Sequence, residues 1–344
     1  MGSANWILIA AGICLLCWML VLLRAAAFAA LNLLIDPFDL YHGHGLSRSH
    51  PNIRRKKLEM FAEMHTAPGT LILGASRLYN LDLSARAEFP APVFNFSVTV
   101  ARAEDLLALY KIAAAPFGAP KTLVIGIAPN MFHPRLGIDL EAVATGRFRK
   151  ILEDARAVKP DPFWRQKLLF SREQATASWN ALVRTVKRRS SGGGKFRWHP
   201  DGHLDWTASP EPAKRANRIA RQLFDYPRKG LAVNTFTEIC PKRKKAMEEL
   251  LDSARNDGAL ILVYIAPDHP ELLARLMSLG AGKIYAELAC WLRASVEARG
   301  GVFLDLSGDA SGLWENDFRD AIHLTNGGQK VIAELLASAI KDRR

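Results

Sequence analysis

Cysteine is scarce in this chain of 344 residues, with four in all. Cys14 and Cys17 lie inside an apolar run, where a thiol serves as a small hydrophobe. Cys240 and Cys290 are far apart and have no metal-like spacing, so no cysteine-ligated metal is expected. They read as two separate thiols in helices, with pairing in an oxidising compartment as the alternative. Lys and Arg are missing from Met1–Asn5, and no charge interrupts Trp6–Leu23. A cleavable signal peptide needs a basic start, which counts against one here even though Ala25–Ala30 has the small residues of a cleavage site. The run reads instead as a retained anchor, long enough to cross a bilayer and extended by a second apolar stretch to Ile35. Helix-turn-helix, zinc-finger and RNA-binding signatures are also missing, so nucleic acid is not an expected partner.

What the chain does have is positive charge, formally +12, concentrated in its middle. Between Arg147 and Glu248 there are roughly two dozen Lys/Arg against about ten Asp/Glu. Such a surface suits an anionic polymer or a lipid headgroup, and a solvated helical face is the plainer alternative. Basic residues follow the apolar helix (Arg24, Arg48, Arg54, Arg55, Lys56, Lys57) and none precede it. Taken alone, that asymmetry would leave the remaining chain in the cytoplasm.

Along the chain, residues 1–35 read as the anchor and 36–69 as a linker with a lead-in helix. His42 and His44 sit in a Gly-rich loop without metal partners, and a surface loop is the preferred reading. Strand candidates follow at Thr70–Leu73, Val93–Phe96, Thr122–Ile127, Ala259–Ile265 and Val302–Leu306, with helical spacing over Glu104–Ala115, Pro241–Asn256, Ile284–Ala298 and Gly327–Ile340. The alternation predicts an α/β chain, a three-layer α/β/α sandwich with a mostly parallel sheet over residues 70–344. A basic, mainly helical insertion interrupts it at about 137–235, with a flexible tip at Ser190–Gly194. After the tip, Trp198 and Trp206 flank a Pro-Asp-Gly turn. A hairpin packed on the domain is the preferred reading, and a sugar-stacking surface the alternative.

Two stretches carry chemistry. In Leu71-Ile72-Leu73-Gly74-Ala75-Ser76-Arg77, an apolar strand delivers a serine to the end of a sheet, where open α/β folds collect ligands. Asp320-Ala321-Ile322-His323, far downstream, supplies the carboxylate and imidazole that make a serine hydroxyl nucleophilic. Gly74-Ala75-Ser76-Arg77 together with Asp320-Ala321-Ile322-His323 resembles the SGNH/GDSL hydrolase superfamily, and more narrowly its membrane-anchored bacterial branch that acts on or transfers acyl groups of cell-envelope and secreted polymers. The resemblance covers roughly Thr70–Ile340. It implies Ser76 as nucleophile, His323 as base then acid, and Asp320 as the group that orients the imidazole. For the oxyanion hole it implies the N–H of Ser76, a donor after the second strand and an asparagine after the third. Ala101 stands where a glycine is expected, and Asn130 follows the third strand after extra residues; Asn95 is a rival donor.

Arg77 would either bind an anionic group of the substrate or anchor the turn through a carboxylate such as Asp82. Asp268-His269 follows the fourth strand between two prolines; at the site rim it would contact substrate or offer a competing acid–base pair, and a loop braced by the prolines is the plainer explanation. The resemblance implies a serine esterase or O-acyltransferase that forms an acyl-serine, acting on an O-acylated (O-acetylated) extracytoplasmic polysaccharide, with no metal or organic cofactor. It further implies a single-pass inner-membrane protein with a periplasmic domain, against the charge asymmetry noted above. A transferase would need a multi-pass acyl-carrying membrane partner. The alternatives are a non-catalytic polymer-binding or assembly component on the same scaffold, and a cytoplasm-facing lipid esterase.

Overall fold

A computed structural model describes residues 3–38, 40–41, 53–137, 146–154, 161–188, 196–207, 211–228, 233–308 and 311–343. His42, His44 and Ser190–Gly194 lie outside the described residues. Within them seven segments form strands: β1 (Thr70–Gly74), β2 (Val93–Asn95), β3 (Thr122–Ile127), β4 (Phe196–Trp198), β5 (Leu204–Trp206), β6 (Leu260–Ile265) and β7 (Val302–Asp305). Five of them make one parallel sheet in the order β2-β1-β3-β6-β7. Numbered among themselves they run 2-1-3-4-5, a doubly wound order whose direction reverses between β1 and β3. At such a reversal the loops after the two strands diverge and open a crevice at their carboxyl ends.

The strands are apolar on both faces because helices cover both. On one face Leu71, Leu73, Leu123, Ile125, Ile261 and Val263 meet α2 (Ile53–Ala62), α3 (Ala103–Phe117), α4 (Gly146–Asp154), α8 (Pro241–Asn256) and α10 (Gly282–Glu297). On the other, Ile72, Val124, Leu262 and Tyr264 meet Leu78, Leu81 and the Ile332, Leu336 and Ile340 stripe of α11 (Asn326–Lys341). α7 (Pro212–Asp225) and α9 (Pro270–Ser278) adjoin a smaller cluster around Phe236, Leu272, Leu276 and Tyr285.

The chain divides into two compact units: residues 1–52 with 159–193, and residues 53–158 with 194–344. The first contains α1 (Ser3–Ile35), α5 (Trp164–Leu169) and α6 (Arg172–Arg188). Ile9–Ile35, with a mean hydropathy of 2.3, is long and apolar enough to span a membrane. Near the end of α1, buried Asn32 donates to Leu169 O at 2.7 Å and accepts from Ser178 Oγ at 2.8 Å. The basic insertion is therefore split, its 159–193 part packing on α1 within this first unit.

α2 is no mere lead-in, because it is tied into the core of the second unit. Arg54 pairs with Asp105 at 3.3 Å, both side chains fully buried. Lys57 Nζ donates to Asn95 O at 2.8 Å, Asn95 Oδ1 at 3.2 Å and Ser97 Oγ at 3.3 Å. Phe61 stacks on Phe96 and meets Phe94 edge-on. Removing one member of a buried ion pair typically costs about 3–5 kcal/mol, since the other charge is stranded.

Candidate active site

Ser76 owes its position to two glycines. Gly74 and Gly126 are register partners at the ends of β1 and β3. A Cβ on Gly74 would lie 2.7 Å from Leu78 Cδ2, and one on Gly126 2.4 Å from the same atom. Their missing side chains leave the space into which Leu78 folds back over the sheet. The single helical turn Ser76–Leu78 that results carries Ser76, half-buried, at the strand end.

Arg77 fixes the turn from beneath. Its guanidinium donates to Pro267 O at 3.0 Å and pairs with Asp268 at 2.7 Å, and Asp268 also accepts from Tyr285 OH at 2.6 Å. Gln329 Nε2, from α11, donates to Arg77 O at 2.5 Å. The anchoring carboxylate is thus Asp268 and not Asp82, whose Oδ1 instead accepts from Ser84 N and Oγ. Both members of the pair are buried, Arg77 at 6% exposure and Asp268 at 3%, so neither faces the rim as a substrate contact.

The downstream segment folds into a tight loop closed by a bridge between Phe318 and Leu324. Asp320 Oδ1 accepts from Ile322 N at 3.1 Å and His323 N at 3.0 Å, so the carboxylate shapes the loop that holds the imidazole. His323 Nδ1 lies 3.0 and 3.1 Å from the two Asp320 oxygens, and its Nε2 lies 3.0 Å from Ser76 Oγ. Burial alone would raise the Asp320 pKa; the adjacent imidazole, its hydrogen bond and the two backbone N–H groups outweigh that and bring it to about 2. An ionised Asp320 favours the imidazole tautomer protonated at Nδ1. Nε2 is then left to accept the serine proton. Serine, base and orienting acid stand in hydrogen-bond sequence, the arrangement that acyl transfer through a serine requires.

Ala101 and Asn130 follow β2 and β3, the two strands that flank β1, so all three loops meet at one edge of the sheet. Ala101 is buried behind Val100, a β-branched residue held at φ 47°. This is strained backbone of a kind that concentrates at functional sites. Asn130 is half-buried, and its carbonyl accepts from Arg102 at 3.4 Å, which links the two loops. Asn95 is buried inward: Nδ2 donates to Leu78 O and Leu81 O, and Oδ1 accepts from Ser97 and Lys57. Its amide braces the serine turn and is not directed at the nucleophile. His269 is buried too, its Nδ1 accepting from Glu271 N to cap α9. Burial, with Arg215 adding, lowers its pKa. Asp268 turns to Arg77 and Tyr285 while His269 turns to Glu271, so the two do not form a competing acid–base pair.

The hairpin β4–β5 supplies a neighbour that the residue pattern alone did not assign to the site. Leu204 N donates to Tyr79 O at 2.6 Å, and Asp201 O accepts from Asn95 N at 2.7 Å, which stitches the hairpin to the serine turn and to β2. Trp206 then lies edge-on to His323 with ring centroids 5.8 Å apart, and donates from Nε1 to Leu324 O at 3.2 Å. Trp198 packs against the core. The signal in the sequence was the pair of tryptophans around the Pro-Asp-Gly turn; what it lacked was the direction of the second.

His199, His203 and Asp205, also on the hairpin, bring potential metal-ligand atoms within 4.8 Å of one another, as do Asp82, Asp201 and His203. Here these groups engage each other: His203 Nδ1 lies 2.6 Å from Asp201, His199 Nε2 lies 3.1 Å from Asp205, and the imidazoles stack at 3.8 Å with planes 13° apart. Near-parallel rings do not direct two nitrogen lone pairs at one point, so a shared ion would require the rings to tilt. Cys240 and Cys290 are free thiols.

Neither a family profile nor a curated protein matches the chain. A solved structure provisionally described as a platelet activating factor from Streptococcus pneumonia overlaps 85% of this chain and 90% of its own, at 13% identity and a TM-score of 0.37. At that score the overlap does not define a shared fold.

Proposed function

We propose that the chain is a serine esterase or O-acyltransferase of SGNH type, working through an acyl-serine at Ser76. The observation that carries this reading is the continuous hydrogen-bond path Ser76–His323–Asp320, with 3.0 Å on both sides of the imidazole. Ser76 Oγ attacks an acyl ester while Nε2 of His323 takes its proton. The imidazolium, stabilised by Asp320, returns that proton to the departing alcohol. Water, or a second hydroxyl, then repeats the steps in reverse and frees the serine. The N–H groups of Ser76 and Ala101 and the amide of Asn130 are the proposed donors to the oxyanion.

The proposed substrate is an O-acylated, most simply O-acetylated, polysaccharide outside the cytoplasm, with the chain held at the membrane by α1. A transferase would draw its acyl group from a multi-pass membrane partner. A fluorophosphonate probe tests the chemistry: wild-type protein is labelled and Ser76→Ala is not, whereas unlabelled, well-folded wild type favours a non-catalytic polymer-binding role. A topology reporter fused at Arg344 tests the sidedness. A cytoplasmic signal ends the extracytoplasmic proposal and favours the lipid esterase.

A further inference from the structure

The lead-in helix α2 carries four consecutive cations, Arg54-Arg55-Lys56-Lys57, and the helical period divides them. Arg55 and Lys56 face outward, half-exposed and paired with Glu59 at 3.1 and 3.9 Å. Arg54 and Lys57, three positions apart, are buried. They reach opposite ends of one segment, residues 97–102, which carries the proposed oxyanion donor Ala101. At its start, Lys57 Nζ donates to Ser97 Oγ at 3.3 Å and to Asn95 O at 2.8 Å, while Ser97 N and Oγ donate to Asn95 Oδ1 at 3.1 and 2.6 Å. At its end, Arg102 N donates at 2.7 Å to Asp105 Oδ2, the oxygen that Arg54 holds at 3.3 Å. The inner edge is tied to β1 and the serine turn: Val98 N donates to Gly74 O at 3.0 Å, and Thr99 Oγ1 lies 2.7 Å from Tyr79 OH. Between these ties stands Val100 at φ 47°. Its side chain is exposed, so that conformation is imposed through the backbone on either side and not by burial of the side chain.

We propose that Arg54 and Lys57 are positioning residues for the oxyanion donor: from α2 they clamp both ends of the 97–102 segment and so hold Val100 in the conformation that aims the Ala101 N–H. The inference rests on the serine-esterase reading above, in which that N–H is a donor. A β-branched residue in the left-handed region is strained, and such a conformation persists only where its surroundings over-determine it. The torsions of Val100 set the direction of the peptide group that follows, and the N–H of that group belongs to Ala101. Release at either end would let Val100 relax to negative φ and turn the N–H away. The pair of Arg54 with Asp105 is charge-assisted, which makes it roughly twice as strong as a neutral hydrogen bond. Burial lowers the Lys57 pKa well below the lysine range, against the charge of Asp201; the amine is a donor in either protonation state.

The test places each clamp substitution in two backgrounds, wild type and Val100→Gly, using the full chain in detergent micelles and a small acetyl ester. Glycine adopts φ 47° without strain, so the clamp has less to hold there. In the wild-type background Lys57→Met should lower kcat by about tenfold to a hundredfold, the scale of a group misplaced by roughly 1 Å, with KM changed by less than about threefold. In the Val100→Gly background the loss should be smaller by about fivefold or more. Arg54→Met should behave alike, and Arg54→Lys should keep part of the activity. Lys57 donates to neutral oxygens, so Lys57→Met is informative even if Arg54→Met, which strands the buried Asp105 carboxylate, does not fold. An equal loss of kcat in both backgrounds, or a loss of unfolding stability with kcat unchanged, would overturn the proposal, since a purely structural contact gives one or the other. Amide hydrogen exchange separates it from the esterase reading. Whether or not Ser76 is acylated, residues 98–102 should exchange about tenfold or more faster in Lys57→Met, and the acceleration should shrink in the Val100→Gly background. Unchanged exchange there, or exchange raised equally across the sheet, overturns the clamp whatever the activity.

Discussion

His323 and His203 each turn Nδ1 to an aspartate shortly before them in the chain, Asp320 at 3.0 Å and Asp201 at 2.6 Å. The difference lies at the other nitrogen. Nε2 of His323 meets the Ser76 hydroxyl at 3.0 Å, whereas Nε2 of His203 points toward a second carboxylate, Asp205, at 4.0 Å. A hydroxyl can yield a proton to the ring; a second carboxylate favours a ring that is already protonated. For His203, burial acts to lower the pKa, but the hydrogen bond and charge of Asp201 outweigh it, and the pKa is raised. The first pair is placed as the proposed proton exchange with Ser76 requires, and the second links groups within the hairpin. The aspartate–histidine motif alone does not distinguish the two uses; the group across the ring does.

The largest effect expected from breaking this contrast is at the hydroxyl. Ser76→Ala should lower kcat on a small acetyl ester by roughly six orders of magnitude, with His323→Ala similar, measured against the His203→Gln background rate. Asp320→Asn should lower kcat by roughly four orders of magnitude, because the tautomer that leaves Nε2 open is no longer favoured. His203→Gln should change kcat by less than about tenfold and should lower unfolding stability by roughly 1.5–3 kcal/mol, the size of a hydrogen bond to a charged group.

The finest distinction is in pH. Asp320 has a folded pKa of about 2, below its ordinary 3.8, so its contribution to stability is full above 3.8 and is lost as pH falls toward 2. His203 has a folded pKa above its ordinary 6.5, so its contribution is full below 6.5 and is lost as pH rises through the raised value. Denaturation of each variant beside wild type should therefore show the His203→Gln deficit shrinking on the alkaline side and the Asp320→Asn deficit shrinking only in acid.

The sheet was legible because its strands are unbroken apolar runs between Gly and Pro breaks, and the helices because their stripes recur at helical spacing. Ser76, Asp320 and His323 could be singled out because each stands beside a strand end or helix start in an order that has a chemical use. Contacts that depend on distant partners were not legible. Arg77 reaches Pro267, 190 positions away, and the adjacent Asp268, and nothing in the local pattern prefers that carboxylate over Asp82. The basic middle looked like one insertion because charge is a local property, but buried Asn32 draws part of it onto α1. Arg54 and Lys57 looked like part of a charged flank after the anchor, and only the buried carboxylate and carbonyl opposite them make them core residues.

In the proposed reaction Ser76 Oγ becomes acylated. Brief exposure of the full chain to an activated acetyl ester, followed by acid quench and peptide mass analysis, measures that directly. An acetyl group is expected on the peptide containing Ser76 in the wild type, a longer-lived adduct where deacylation is slowed, and none in Ser76→Ala. Turnover of the ester with no adduct on Ser76, undiminished in Ser76→Ala, would contradict it.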